Sequence, residues 1–162
     1  MSAIRCYDAG FDGIELHGAH GYLISQFLGK KTNLRLDSWG GNLEKRSKLL
    51  LEIFKSIRNN VPESFIIGVR ISPEIENLGI ELDDSLELIN ILKKQSIDFI
   101  HLSCWDVFLK SKKPAYKEKT LTEIITDSHK NLPTIISTGN IWSSQDAYNL
   151  LKQGADLVGV GR

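Results

Sequence analysis

One junction occurs three times in this sequence and limits what the chain can fold into. A helical stretch runs out into small or polar residues, meets an aspartate, and is followed at once by a short apolar run: Ala9-Gly10-Phe11-Asp12 before Gly13-Ile14-Glu15-Leu16, Gln95-Ser96-Ile97-Asp98 before Phe99 to Ser103, and Gln153-Gly154-Ala155-Asp156 before Leu157 to Val160. Repeated helix-to-strand junctions of this kind favour an α/β fold with a parallel sheet and helices packed outside it. Two more β-branched runs, Phe65-Ile71 and Thr134-Thr138, bring the expected strands to Gly13-Leu16, Phe65-Ile71, Phe99-Ser103, Thr134-Thr138 and Leu157-Val160.

Between them the spacing is helical. Leu49, Leu50, Ile53, Phe54 and Ile57 share a face in Leu43 to Asn59, and Leu86, Ile89 and Leu92 do so after Asp83-Asp84-Ser85, which offers N-caps. Further helices are expected over Ser2 to Ala9, from Tyr22, over about Leu121 to Lys130, and after a Ser143 or Ser144 cap, where Ala147, Leu150 and Leu151 face inward.

The chemistry concentrates behind the first strand. His17, His20 and Tyr22 fall within six residues, where a Gly-Ala-His-Gly turn leads from strand to helix. That is the C-terminal edge of a parallel sheet, where ligands bind. The histidines can present N–H donors to a ligand oxygen and Tyr22 can supply a proton; satisfied structural histidines and a helix-start aromatic are the plainer alternative. A metal on His-x-x-His with Glu15 is disfavoured, because no further cluster completes a coordination shell.

Arg70 lies near the end of an otherwise apolar strand, where an unpaired cation is costly, so it must reach an anionic group. An internal salt bridge with Glu15 and a ligand contact are both open. His101 and Trp105 are read as core and rim packing, with a pocket wall as the second reading for Trp105. Gly139 and Gly161-Arg162 follow the last two strands, where glycine allows close approach of backbone N–H groups and arginine adds a charged fork for a phosphate.

With 162 residues, 41% hydrophobic and 25% charged, the composition is that of an ordinary globular domain, and 20 basic against 20 acidic residues give no charge excess to attract nucleic acid. No apolar run approaches a membrane span. Cys6 and Cys104, far apart and without a signal-type apolar N-terminus, suggest free thiols and a cytoplasmic setting.

The string Asp12-Gly-Ile-Glu-Leu-His-Gly-Ala-His-Gly-Tyr-Leu-Ile-Ser-Gln-Phe-Leu28, followed by Asn33, Arg35, Asp37, Trp39, Gly40, Gly41, Asn42, Glu44 and Arg46, resembles the Old Yellow Enzyme family of FMN-dependent, NAD(P)H-using oxidoreductases. The resemblance implies a partial (β/α)8 TIM barrel, about strands four to eight, as one incomplete domain, 1–162. It implies His17, His20 and Tyr22 as catalytic residues, with Arg70, Gly139, Gly161 and Arg162 holding FMN. NADH or NADPH would be the electron donor and an activated alkene such as an enone the small-molecule substrate. The first strands, with the residues around the flavin N5 and pyrimidine edge, would then lie outside this sequence. The chain reads as a fragment with half of an active site, whose unclosed sheet exposes an apolar interior and invites pairing into a homo-oligomer.

Overall fold

The structure, a computed structural model, describes residues 2–161. Five parallel strands, β1 (Gly13–Gly18), β2 (Ile66–Ile71), β3 (Phe99–Ser103), β4 (Thr134–Thr138) and β5 (Leu157–Gly159), lie side by side in sequence order. The helices are α1 (Ser2–Asp8), α2 (Leu23–Leu28), α3 (Leu43–Arg58), α4 (Leu82–Lys93), α5 (Leu121–Ser128) and α6 (Ser144–Lys152). Each expected strand is present, with β1 running on through His17 and Gly18.

Strand alternation sorts the two faces of the sheet. Leu16, Ile67, Val69, Ile71, Ile100, Leu102 and Ile135 point to the helices and are buried against Leu50, Phe54 and Ile57 of α3, Leu88, Ile89 and Leu92 of α4, and Ile125 of α5. The opposite face carries Glu15, His17, Arg70, His101, Ser103, Thr134 and Thr138 among Ile66, Phe99, Ile136 and Leu157. That interior face is therefore mixed rather than apolar as expected. Gly68 makes room on it, because the Phe99 ring lies 2.0 Å from where a Cβ at 68 would sit.

The recurring junction aspartate has a structural reason. The Asp98 and Asp156 carboxylates accept the N–H of Ile67 at 2.7 Å and of Ile135 at 2.8 Å, while their own N–H groups donate back to the carbonyls of the same residues. Each pins the start of its strand to the neighbour. At Asp12 the backbone does this work, its carbonyl accepting from Ile66 N.

Three expectations fail locally. Helix α4 starts at Leu82 after Glu81 and has no side-chain cap, because Asp83 and Asp84 sit inside its first turn and Ser85 donates instead to the Pro73 carbonyl. Helix α5 ends at Ser128, two residues early. On α6 only Leu150 is fully buried and Leu151 is 44% exposed, since this helix flanks β5 at the end of the sheet. Ser143 does cap α6, in a reciprocal box with Asp146.

The glycine-rich string after α2 is held by two buried side chains. Asn33 donates to the carbonyls of Phe27 and Trp39. Arg46, with its side chain 3% exposed, donates to the carbonyls of Gly41 and Leu28 and pairs with Asp84 on α4 at 2.8 Å. One guanidinium thus joins loop, α2, α3 and α4. Arg46→Met removes the donor to the Gly41 and Leu28 carbonyls and leaves Asp84 with only Lys30, at 3.2 Å, so it is expected to lower stability by about 3 kcal/mol in denaturant unfolding. A loss below about 1 kcal/mol would mean that the clamp is incidental.

Candidate functional site

The register builds the site. His17 on β1 is paired with Arg70 on β2, which is paired with His101 on β3, so three nitrogen-bearing side chains stand in one row across the interior face. His20 joins them from the turn after β1. Its backbone is left-handed, φ 60°, followed by Gly21 at 81°, a conformation that a non-glycine residue enters at a cost.

Neighbouring groups hold that turn. The buried Ser25 hydroxyl, on the first turn of α2, lies 3.0 Å from the Ala19 carbonyl and 2.9 Å from that of Tyr22, while Gln26 donates to Gly21 O. The result is a cluster of rings: His17 lies 5.0 Å from His20 and 5.3 Å from Tyr22, centroid to centroid. Tyr22 is 64% exposed.

Ser103, at the end of β3, was not singled out in the sequence. Its hydroxyl lies 2.9 Å from Arg70 Nη2 and 2.7 Å from His20 Nε2. The guanidinium can only donate, so Ser103 Oγ accepts from it; with a second lone pair and its own proton the hydroxyl serves His20 Nε2 in either tautomer. Partial desolvation of the ring, then the Arg70 charge and the nearby His17 and His101, hold the His20 pKa below its usual 6.5, with Glu15 opposing.

Arg70 does not pair with Glu15, which instead accepts from His101 Nδ1 at 2.7 Å. Arg70 Nε is buried with no hydrogen-bond partner. A buried N–H left open beside an imidazole cluster is what a site for an electron-rich ring edge needs, so the residues present fit a flavin. His101 is only 14% exposed on its side chain but is hydrogen-bonded to Glu15 rather than packed in the apolar core.

At the far end of the sheet, Gly139 and Gly161 follow β4 and β5, one and two residues beyond the paired Thr138 and Gly159. Gly139 has φ 148°, and a Cβ there would stand 2.3 Å from the Cys104 carbonyl oxygen. Its bareness is demanded by this β3 loop as well as suited to a phosphate. Around Gly161 there is open space, and Arg162 lies outside the described residues.

A cavity of about 610 Å³ opens on the other side of His20, between the loops after β2 and β3, with Ser72, Glu74, Cys104, Trp105 and Lys112 among its walls. Trp105 is 94% exposed at this cavity, which overturns the packing reading and supports the pocket-wall one. Cys104 is a free thiol whose pKa burial pushes up to about 12, which disfavours the reactive thiolate. Among the described residues no helix is long and apolar enough to cross a membrane.

The fold is that of an α/β-barrel protein, with the candidate site at the C-terminal ends of the strands. The family model described as NADH:flavin oxidoreductase / NADH oxidase matches residues 1–162, and the chain belongs to that family, whose cofactor is FMN with NADH or NADPH as electron donor. A probable NADH-dependent flavin oxidoreductase of Bacillus subtilis, YqiG, is 37% identical over 98% of this chain and 44% of its own length. The NADH:acrylate oxidoreductase of Vibrio harveyi is 37% identical over 98% of the chain and 16% of its own. The old yellow enzyme homologue of Zymomonas mobilis superposes with a TM-score of 0.80 at 28% identity, over 99% of this chain and 45% of that one. The chain spans less than half the length of these relatives, and its five strands are part of a (β/α)8 barrel.

Two measurements check the geometry. In an NMR titration the His20 imidazole is expected to change charge below pH 6.5, and Arg70→Met to move that midpoint up. Because the folded state binds this proton less readily than the unfolded chain, the associated stability is complete above about pH 6.5 and declines as the pH falls below it. A midpoint at or above 6.5 would refute the arrangement. Gly139→Ala is expected to destabilise the protein by about 1–3 kcal/mol, since backbone rather than a pliable side chain stands in the way.

Proposed function

We propose that this chain, as a single barrel-forming domain, contributes the substrate-protonating and flavin-contacting residues of an oxidoreductase that reduces activated alkenes with NAD(P)H. The observation that carries the reading is the conjunction of the His17–His20–Tyr22 ring cluster with the uncommitted, buried Arg70 Nε one strand away. The acrylate named for the Vibrio harveyi relative is itself an alkene conjugated to a carbonyl-type group.

Bound FMN would supply hydride, taken from NAD(P)H, to the β-carbon of the alkene. Arg70 would hold the flavin ring, and Gly139, Gly161 and Arg162 its phosphate. His17 and His20 donate N–H groups to the substrate's carbonyl oxygen, where negative charge grows as the β-carbon is reduced. Ser103 anchors the His20 ring at Nε2, while partial desolvation and the Arg70 charge favour its neutral form, which acts on that charge as a hydrogen-bond donor. Tyr22, exposed beside His17, delivers its phenolic proton to the α-carbon.

FMN titrated into the protein is expected to give saturable quenching of flavin fluorescence and a displaced visible band. With an enone present, NADH or NADPH is then consumed. Tyr22→Phe should retain the displaced band and lower alkene turnover on the order of 10²-fold. Folded protein that leaves flavin fluorescence unchanged would overturn the reading.

A further inference from the structure

The His101–Glu15 pair is not used by the function just proposed, yet it lies at the centre of the interior face. A carboxylate oxygen only accepts, so Glu15 takes the N–H at His101 Nδ1, at 2.7 Å, and fixes the ring across the intervening β2. The other nitrogen, Nε2, is buried and has no hydrogen-bond partner. It faces β5 at a bare position: a Cβ on Gly159 would stand 3.2 Å from His101 Nε2 and 2.8 Å from Thr138 Cβ. A buried polar atom left open in this way calls for a partner.

The topology says what passes there. On the reading above, on which this inference rests, the flavin ring is held at Arg70 on β2 and the phosphate at the loops after β4 and β5. The strand between is β3. The polyol chain linking ring to phosphate must cross it, and β3 offers that chain two polar side chains on the interior face, His101 and Ser103. The Ser103 hydroxyl is already taken by Arg70 and His20.

We propose that His101 Nε2 is the hydrogen-bond partner of a ribityl hydroxyl of FMN, held in place by Glu15. A hydroxyl both donates and accepts, so it satisfies Nε2 with or without a proton. Desolvating a hydroxyl without a partner is costly, which makes this contact a determinant of flavin affinity rather than of the chemical step. His101 is thus a binding residue and Glu15 a positioning one.

The test uses two substitutions and three flavins. Asparagine can keep the amide donor near Nδ1 and so the bond to Glu15, but does not reach Nε2; glutamine reaches Nε2 and gives up Glu15. Fluorescence titration of His101→Asn is expected to weaken FMN and riboflavin about tenfold. Lumiflavin, which has no ribityl chain, should be weakened by no more than about twofold, and His101→Gln should stay within about threefold of wild type for all three. Equal weakening of riboflavin and lumiflavin would overturn the proposal. So would wild-type binding by His101→Asn with loss in His101→Gln, the order expected if the pair only braces the sheet. If wild-type protein binds none of the flavins, the proposed function falls and this inference with it; binding without ribityl dependence sinks the inference alone.

Discussion

Everything in this site depends on strand register. In a parallel sheet, side chains alternate between faces, so sliding one strand by a single residue would move its entire interior set into the helix layer. Here the pairing of His17 with Arg70 and of Arg70 with His101 sets three polar groups in a row, while Leu16, Val69 and Ile100 fall together on the other face and are buried. The apolar packing thereby excludes the one-residue slips that would scatter the polar row. Strand-start aspartates reinforce it: Asp98 and Asp156 each grip the N–H of the neighbouring strand.

The second constraint is how rigid strands hand over to a turn that must hold a side chain in an unfavourable backbone state. His20 occupies left-handed space, and Ser25, Gln26 and Ser103 make the contacts that keep it there. Only one of these, Ser103, also touches Arg70, whose charge adds to partial desolvation in lowering the His20 pKa.

Much of this was readable from residue pattern. Recurring junctions and β-branched runs located all five strands, a period of 3.6 the main helices, and the His-x-x-His-x-Tyr spacing the ring cluster, because all are consequences of local geometry. The motif that carried the family resemblance divides by use. Its histidines and tyrosine form the cluster, whereas Asn33 and Arg46 are buried clamps that shape the loop. What was misjudged involved partners distant in the chain. Asp84 looked like a cap and is the half-buried partner of Arg46; His101 looked like core and is the partner of Glu15, 86 residues away; Trp105 looked like rim packing and stands exposed at a cavity.

The sequence by itself determined the kind of fold, the order of its elements and which residue types gather at the C-terminal edge, since hydrophobic periodicity, glycine turns and helix caps act over a few neighbouring residues. Only the tertiary structure decided that Glu15 chooses His101 over Arg70, that Ser103 joins Arg70 to His20, and that one nitrogen each of Arg70 and His101 stays open inside the sheet. Those outcomes depend on which of several competing donors and acceptors lies within about 3 Å once the strands are paired, and hydrogen bonds act only at that range.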